Sequence, residues 1–183
     1  MSLLDRLERP LVGQRIVLRA PESADAVTLF EYVCSCDGLD GTWVPLHAGA
    51  NRDDCRLLVE DWRAGWRGEP SVHGPAFTVT EPNDRHLVGQ VGFGERGQGF
   101  IELVYGIAPN RRRRGFASEA ARLVAEWLLD SGLAIEVELR IAKRHTVSQR
   151  VAEKAGFRVS GTVTTDVAAT GQTYEDLRYL FAR

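Results

Sequence analysis

The stretch "IAPNRRRRGFASEA", Ile107 to Ala120, sets four consecutive arginines against a glycine and then small residues that open a helix. Arginine runs serve nucleic acid, targeting signals or solvated faces in many proteins. The glycine and the helix behind it point to a narrower use. The first turn of a helix leaves backbone N–H groups unpaired, and the helix dipole adds partial positive charge there. An anion at that end satisfies both. A bulky diphosphate approaches only where side chains are small, as at Gly115 and Ala117, and arginines just before the turn can grip its outer oxygens bidentately. The segment has the parts of a pyrophosphate cradle. It lacks the Gly-Lys-Ser/Thr of a nucleoside-triphosphate loop, which argues against magnesium-dependent phosphoryl transfer.

The rest of the chain agrees with a local device rather than a basic protein. Its 183 residues are 44% hydrophobic and 26% charged, with a formal net charge of -2. One domain over 1–183 is the natural expectation at this length. No global positive field is available to hold nucleic acid, and no aromatic-basic platform accompanies the arginines. Cys34, Cys36 and Cys55 are odd in number and lack metal-ligand spacing, so reduced thiols and no metal are expected. "MSLLDRLERP" meets charge too early for a signal peptide, and no apolar run approaches a membrane span. The expectation is a cytoplasmic protein without a membrane partner.

Periodicity orders the elements outward from the arginine run. "FIELVYGIA" before it reads as a strand. Phe116, Ala120, Leu123, Val124, Trp127 and Leu128 after it form a helical stripe ended by Ser131-Gly132. Upstream, "QRIVLRA" (14–20) alternates as a first strand, and "SADAVTLFEYVC" follows as a helix. A second helix starts near Asn51 and gathers Cys55, Leu58, Val59, Trp62 and Trp66 on one face. "PAFTVT" and "HLVGQVGFG" make a hairpin around "EPND". Downstream come the strand "AIEVELRIA", the short helix "SQRVAEKAG" and a closing pair of strands. The predicted order is β-α-α-β-β-β-α-β-α-β-β, an α/β mixed sheet flanked by helices.

Gly92-Phe-Gly-Glu-Arg-Gly97 matches the dinucleotide-binding pattern G-x-G-x-x-G. That motif works when a helix follows, because the helix N-terminus receives the pyrophosphate. A strand follows here, so these glycines read as a strand-to-strand turn.

Arg112-x-x-Gly115-x-Ala117, entered from a strand and leading into an amphipathic helix, resembles the acyl-coenzyme-A loop of the GNAT N-acetyltransferases. "RIVLRAPESADA", "FIELVYGIAPNRRRRGFASEA", "SQRVAEKAGFRVSGTV" and "GQTYEDLRYLFAR" resemble, in that order, segments of the branch that acetylates ribosomal-protein N-termini (RimJ/RimL-like). The likeness spans nearly the whole chain except about 35–80. It implies the GNAT fold, acetyl-CoA as co-substrate, and coenzyme contacts at Arg112, Arg113, Arg114, Gly115, Phe116, Ala117 and Ser118. It also implies that the backbone around Tyr105 to Ile107 holds the pantetheine arm. That branch commonly has Asn three residues before the serine matching Ser148, and this chain has His145. The histidine can keep a coenzyme contact through a ring nitrogen, act as a base, or be a loop residue with no role.

Amine acylation needs a neutral amine, a held thioester, and stabilisation of the oxyanion and departing thiolate. An alkylammonium with a pKa near ~10 must first lose a proton. Glu102 occupies the strand position where the resembled enzymes often carry a catalytic glutamate; its alternative is a structural glutamate. Ser148 can donate a hydrogen bond to the leaving sulfur or cap the late helix. Backbone N–H groups of Tyr105 to Ile107 can polarise the carbonyl.

Acceptor choice is expected in the Gly-rich segment from Cys36 to Asn51, where Trp43 and His47 are large enough to shape a pocket. The expected acceptor is a primary amine, on a protein N-terminus or a small molecule such as an antibiotic, reached by direct transfer. The alternatives are a non-catalytic acyl-CoA-binding module of the same fold, or an enzyme for longer acyl chains. Both a monomer and a homodimer are compatible with the sequence.

Overall fold

The computed structural model describes residues 3–35, 44–46, 49–167 and 172–182. A short helix α1 (Leu3–Arg6) leads into β1 (Leu11–Val12) and β2 (Val17–Arg19). Helices α2 (Asp25–Ser35) and α3 (Arg52–Arg67) follow, then β3 (Ala76–Glu81), β4 (Asp84–Gly97) and β5 (Phe100–Ile107). A 3-10 turn at Pro109–Arg111 precedes α4 (Phe116–Asp130) and β6 (Glu136–Ala142). The chain ends with α5 (Thr146–Ala155), β7 (Phe157–Val167) and β8 (Gln172–Phe181). The eight strands form one sheet in the order β1-β2-β3-β4-β5-β6-β8-β7. This is the mixed α/β order read from the sequence, extended at the front by α1 and β1. Those two were not legible, since four and two residues give no periodicity to read.

Helix α3 shows why local sequence sets the boundaries. Asn51 Oδ1 accepts from the N–H groups of Asp53 and Asp54 at 2.7 and 3.2 Å, and Asp54 returns a bond to the Asn51 N–H at 2.8 Å. This capping box starts the helix, and Gly68 at φ 76° stops it. Between them Cys55, Leu58, Val59, Trp62 and Trp66 are buried along one face, as their spacing predicts. Trp66 donates to Ala76 O at 2.7 Å and packs edge-on to Phe77 and Phe93, with Trp127 of α4 closing the cluster.

Every neighbouring pair in the sheet is antiparallel except β5 and β6. A parallel pair needs a crossover, and α4 supplies it. Phe116, Ala120, Val124 and Leu128 of α4 are buried against Ile101, Leu103, Val137 and Leu139 of that pair. The pairing covers only Phe100–Glu102 with Glu136–Glu138. Beyond it β5 stays with β4 and β6 stays with β8, so the two central strands part.

Two expectations need correction. The late helix begins at Thr146 with His145 in the cap position, so Ser148 lies within the first turn and is not the cap. The G-x-G-x-x-G glycines do not form a turn together. Gly92 and Gly94 lie inside β4, and the turn is Gly97-Gln98-Gly99, with φ of 111°, 53° and 81°. Gly92 stands opposite Val104 of β5, where a Cβ would come 3.0 Å from a Val104 methyl.

Candidate active site

Among the described residues, the parting of β5 from β6 leaves one edge of β5 beyond Glu102 without a strand partner. Ala108 N–H donates to Val88 O at 3.0 Å, and Gly106 stands opposite Gln90 in the ladder. In an antiparallel ladder backbone groups alternate sides, so the even-numbered amides of β5 turn to β4. The odd-numbered amides of Tyr105 and Ile107 turn the other way, into the gap. Side chains alternate as well. Ile101, Leu103 and Tyr105 face the α4 side with the core, while Glu102 and the exposed Val104 face the opposite side.

At the end of β5 the chain makes its 3-10 turn and enters α4. Arg113 is left-handed at φ 66°, and so is Gly115 at φ 83°. Glycine at the cap position supplies no side-chain acceptor, so nothing from the cap covers the first-turn N–H groups. Ser118 Oγ donates to Gly115 O at 3.0 Å, which turns this hydroxyl back onto the turn. Phe116 is buried beneath, and Ala117 is half-buried beside it. Glu119 is buried in the same turn and accepts from the backbone N–H groups of Gln14 and Arg15 and from the Arg15 guanidinium. This brings Arg15 beside the cap: a Cβ on Gly115 would lie 3.3 Å from Arg15 Nη1.

The arginines do not all point at one place. Arg111 and Arg114 both donate to Glu81 at the end of β3, at 2.8 Å from Arg111 and 3.0 and 3.1 Å from Arg114. Arg112 Nε donates to Ile107 O at 3.0 Å, closing the turn over the end of the gap. Arg113 is exposed.

On the open face, Glu102 is 11% exposed and accepts from Arg96, whose Nε and Nη2 both lie 2.5 Å from Oε2. Arg140 Nε stands 3.8 Å from the same oxygen and 2.7 Å from Glu138, the register partner of Glu102. Arg178 donates to the other Glu138 oxygen at 2.6 Å. Burial disfavours charge on Glu138, but Arg178 and Arg140 outweigh it and hold its carboxyl below the usual range.

On the α4 face, Tyr105 donates its hydroxyl to Ser148 O at 3.0 Å, tying β5 to the first turn of α5 across the gap. Burial pushes the Tyr105 phenol up to about 12, against the lowering effect of that bond. His145 is exposed at the cap of α5, and Gln149 Nε2 donates to Ala142 O and Lys143 O at 3.2 and 2.8 Å, fixing that corner. Thus Tyr105, Ile107, Ser148 and the Arg112–Ser118 segment border one gap and its open end, while Glu102 stands at the closed end, in the last paired position of β5, on the face opposite Ser148. Trp43 and His47 lie outside the described residues. Glu81, Arg96, Arg140, Arg15 and Glu119 were missed by the sequence reading: each lies in a stretch read as a strand, turn, loop or helix segment, and their partners are distant in sequence or carry no spacing signal. Among the described residues no group of three or more His, Cys, Asp or Glu can hold a metal ion, and no helix is long and apolar enough to cross a membrane.

The fold has known counterparts. A putative ribosomal-protein-serine acetyltransferase from Vibrio cholerae superposes with a TM-score of 0.77 at 18% identity, over 96% of this chain and 98% of that one. The microcin C7 self-immunity acetyltransferase MccE, solved with acetyl-CoA and AMP, gives 0.75 at 15% identity, over 93% and 94%. RimL, a ribosomal L7/L12 alpha-N-protein acetyltransferase, gives 0.73 at 15% identity, over 96% and 94%. At such identities the likeness establishes the fold. No curated protein matches the chain by sequence. The family profile "Acetyltransferase (GNAT) domain" matches residues 15–158. With that match spanning β2 to β6, α5, the gap and the loop at the head of α4, the chain belongs to the GNAT family of acetyltransferases.

Proposed function

We propose that the protein is an acetyl-CoA-dependent N-acetyltransferase acting on a primary amine by direct transfer. The observation that carries this reading is the free edge of β5, whose Tyr105 and Ile107 amides lead straight to the glycine-capped head of α4. An extended amide-bearing arm fits the edge as an added strand, and a diphosphate fits the uncapped helix end. The residues from Arg112 to Ser118 would hold the diphosphate, chiefly through backbone N–H groups, with Arg112 and Arg113 supplying charge. Arg114 is engaged by Glu81 and contributes less. His145, at the corner of α5, is within the same wall.

Acetyl-CoA supplies the activated thioester carbonyl. The chain's own residues supply the rest. Glu102 accepts the proton of the incoming ammonium, directly or through a water, from the open face. Ser148 offers a hydroxyl donor from the other face. The amides of Tyr105 and Ile107 offer fixed dipoles toward developing negative charge in the gap. Holding both substrates together there lowers the barrier without a covalent enzyme intermediate. The acceptor is a protein N-terminus or a compact small amine; the fold shared with two ribosomal-protein acetyltransferases supports the former. Trp43 and His47 would shape the acceptor pocket.

A second reading has one observation in its favour. The Arg96 fork occupies Glu102 Oε2, as it would in a domain that binds acyl-CoA without turnover. One experiment separates the two: free thiol released from acetyl-CoA, measured against a panel of peptides and small amines beside calorimetric coenzyme binding. Thiol release that requires an amine supports catalysis. Binding with no release for any amine supports the second reading, and no binding overturns both.

A further inference from the structure

Two of the four arginines that announce the diphosphate loop do not face the gap at all. Arg111 and Arg114 converge on one carboxylate, Glu81, at 2.8, 3.0 and 3.1 Å. Arg111 also reaches the Tyr32 hydroxyl of α2 at 3.3 Å, and the Arg114 guanidinium lies 4.9 Å over the Phe116 ring. Glu81 is mostly buried, 23% exposed, at the end of β3. Arg113, between the two held arginines, is left-handed at φ 66°, a conformation costly for a residue with a Cβ. Residues stay in such conformations only where their surroundings impose them.

We propose that Glu81 is a positioning residue for the coenzyme: by pinning Arg111 and Arg114 together it holds the turn between them in the shape that receives a diphosphate. The inference rests on the coenzyme reading above and adds a residue outside the gap to it. Two physical effects of Glu81 oppose each other, so the sign of its removal is informative. Its negative charge repels an incoming diphosphate, and its loss would free two guanidinium groups, so electrostatics alone predicts tighter binding without it. Pre-organisation predicts weaker binding, because a loosened loop must be reordered on every encounter. The second effect dominates: surface charges are screened over about a Debye length of ~8 Å, and each freed arginine would surrender its rotamer freedom to reach the ligand.

The test uses the full chain as wild type, Glu81→Gln, Arg113→Gly and the double variant, with coenzyme A titrated by calorimetry. Glu81→Gln is expected to weaken binding about tenfold, a loss of pre-organisation. In the Arg113→Gly background the same change is expected to cost less than about twofold, because glycine takes a positive φ unaided. Unchanged or tighter binding in Glu81→Gln, or equal losses in both backgrounds, overturns the proposal. Trypsin gives a readout independent of the coenzyme: without ligand, Glu81→Gln should be cut within 111–114 about tenfold faster than wild type, as local opening becomes easier. Arg114→Gln, which breaks the clamp from the other end, should be cut faster after Arg113 too, and serves if Glu81→Gln does not fold. If wild type binds no coenzyme A, the coenzyme reading fails; the clamp then stands or falls on trypsin, and unchanged cleavage in both variants overturns it.

Discussion

The hydroxyl of Tyr105 donates to the backbone carbonyl of Ser148 at 3.0 Å, and this bond bridges strand β5 and helix α5 where β5 and β6 have lost each other as partners. It holds the serine at a fixed position on one wall of the gap. Tyr105→Phe keeps the ring and removes the tie. Stability should fall by ~1 kcal/mol, the typical net value of a hydrogen bond. Catalytic efficiency should fall about fivefold, the rate equivalent of that energy. The phenol also has a pH signature. Its folded-state pKa of about 12 lies above the ordinary 10.0, so the unfolded chain ionises first and stability is lost as pH rises from 10 toward 12. Urea midpoints measured over that range should fall less steeply in Tyr105→Phe than in wild type.

Gly115 carries two constraints that a single substitution tests together. Its φ of 83° strains any residue with a Cβ, and a Cβ there would meet only the flexible tip of Arg15 at 3.3 Å. Gly115→Val should therefore cost ~1–2 kcal/mol of stability. Coenzyme A affinity should drop well over tenfold, because the branched side chain stands where the phosphates approach. Arg112→Ala and Arg113→Ala should each cost less, since exposed charges are screened. Calorimetry with melting curves on the same samples separates the two losses. Full affinity in Gly115→Val would remove the loop from the account.

Glu102→Gln keeps shape and removes the ability to accept a proton. The turnover number should fall about a hundredfold, within the usual range for a general base. Acetyl-CoA affinity should be nearly unchanged, because Glu102 faces away from the Tyr105 side of β5. An unaffected rate at every pH would transfer the role to water or His145.

Glu138 contributes to acid stability. Burial opposes its charge, and Arg178 and Arg140 prevail, so its folded-state pKa lies below the ordinary 4.5. The stabilisation is present above pH 4.5 and is lost as pH falls through the lower folded-state value. Glu138→Gln should flatten this part of the acid unfolding curve. An identical curve in the variant would show that the two arginines do not act through Glu138.

Much of this was legible because it is local. The helix start near Asn51, the α3 stripe and the α4 stripe from Phe116 to Leu128 are each written within one helix, and each appears where the sequence put it. The partners that define the site are not local. Glu81 lies 30 and 33 positions from Arg111 and Arg114, and Arg15 lies 104 from Glu119. Periodicity carries no information about such pairs, so Arg114 read as a coenzyme contact beside Arg112 and Arg113, whereas it and Arg111 are tied to a carboxylate. Ser148 read as either a hydroxyl donor or a helix cap, because serine is a good cap; the cap alternative fails, since the helix starts at Thr146 with His145 at the cap.

The most direct measurement is amide hydrogen exchange by NMR, with and without saturating acetyl-CoA. The Gly106 amide is already bonded to β4, whereas those of Tyr105 and Ile107 face the gap. Coenzyme should therefore slow exchange at Tyr105 and Ile107, and at Phe116, Ala117 and Ser118 at the head of α4, with little change at Gly106. Binding that leaves these five amides unprotected, or that protects another face of the sheet, would contradict the assignment of the gap as the acetyl-CoA site.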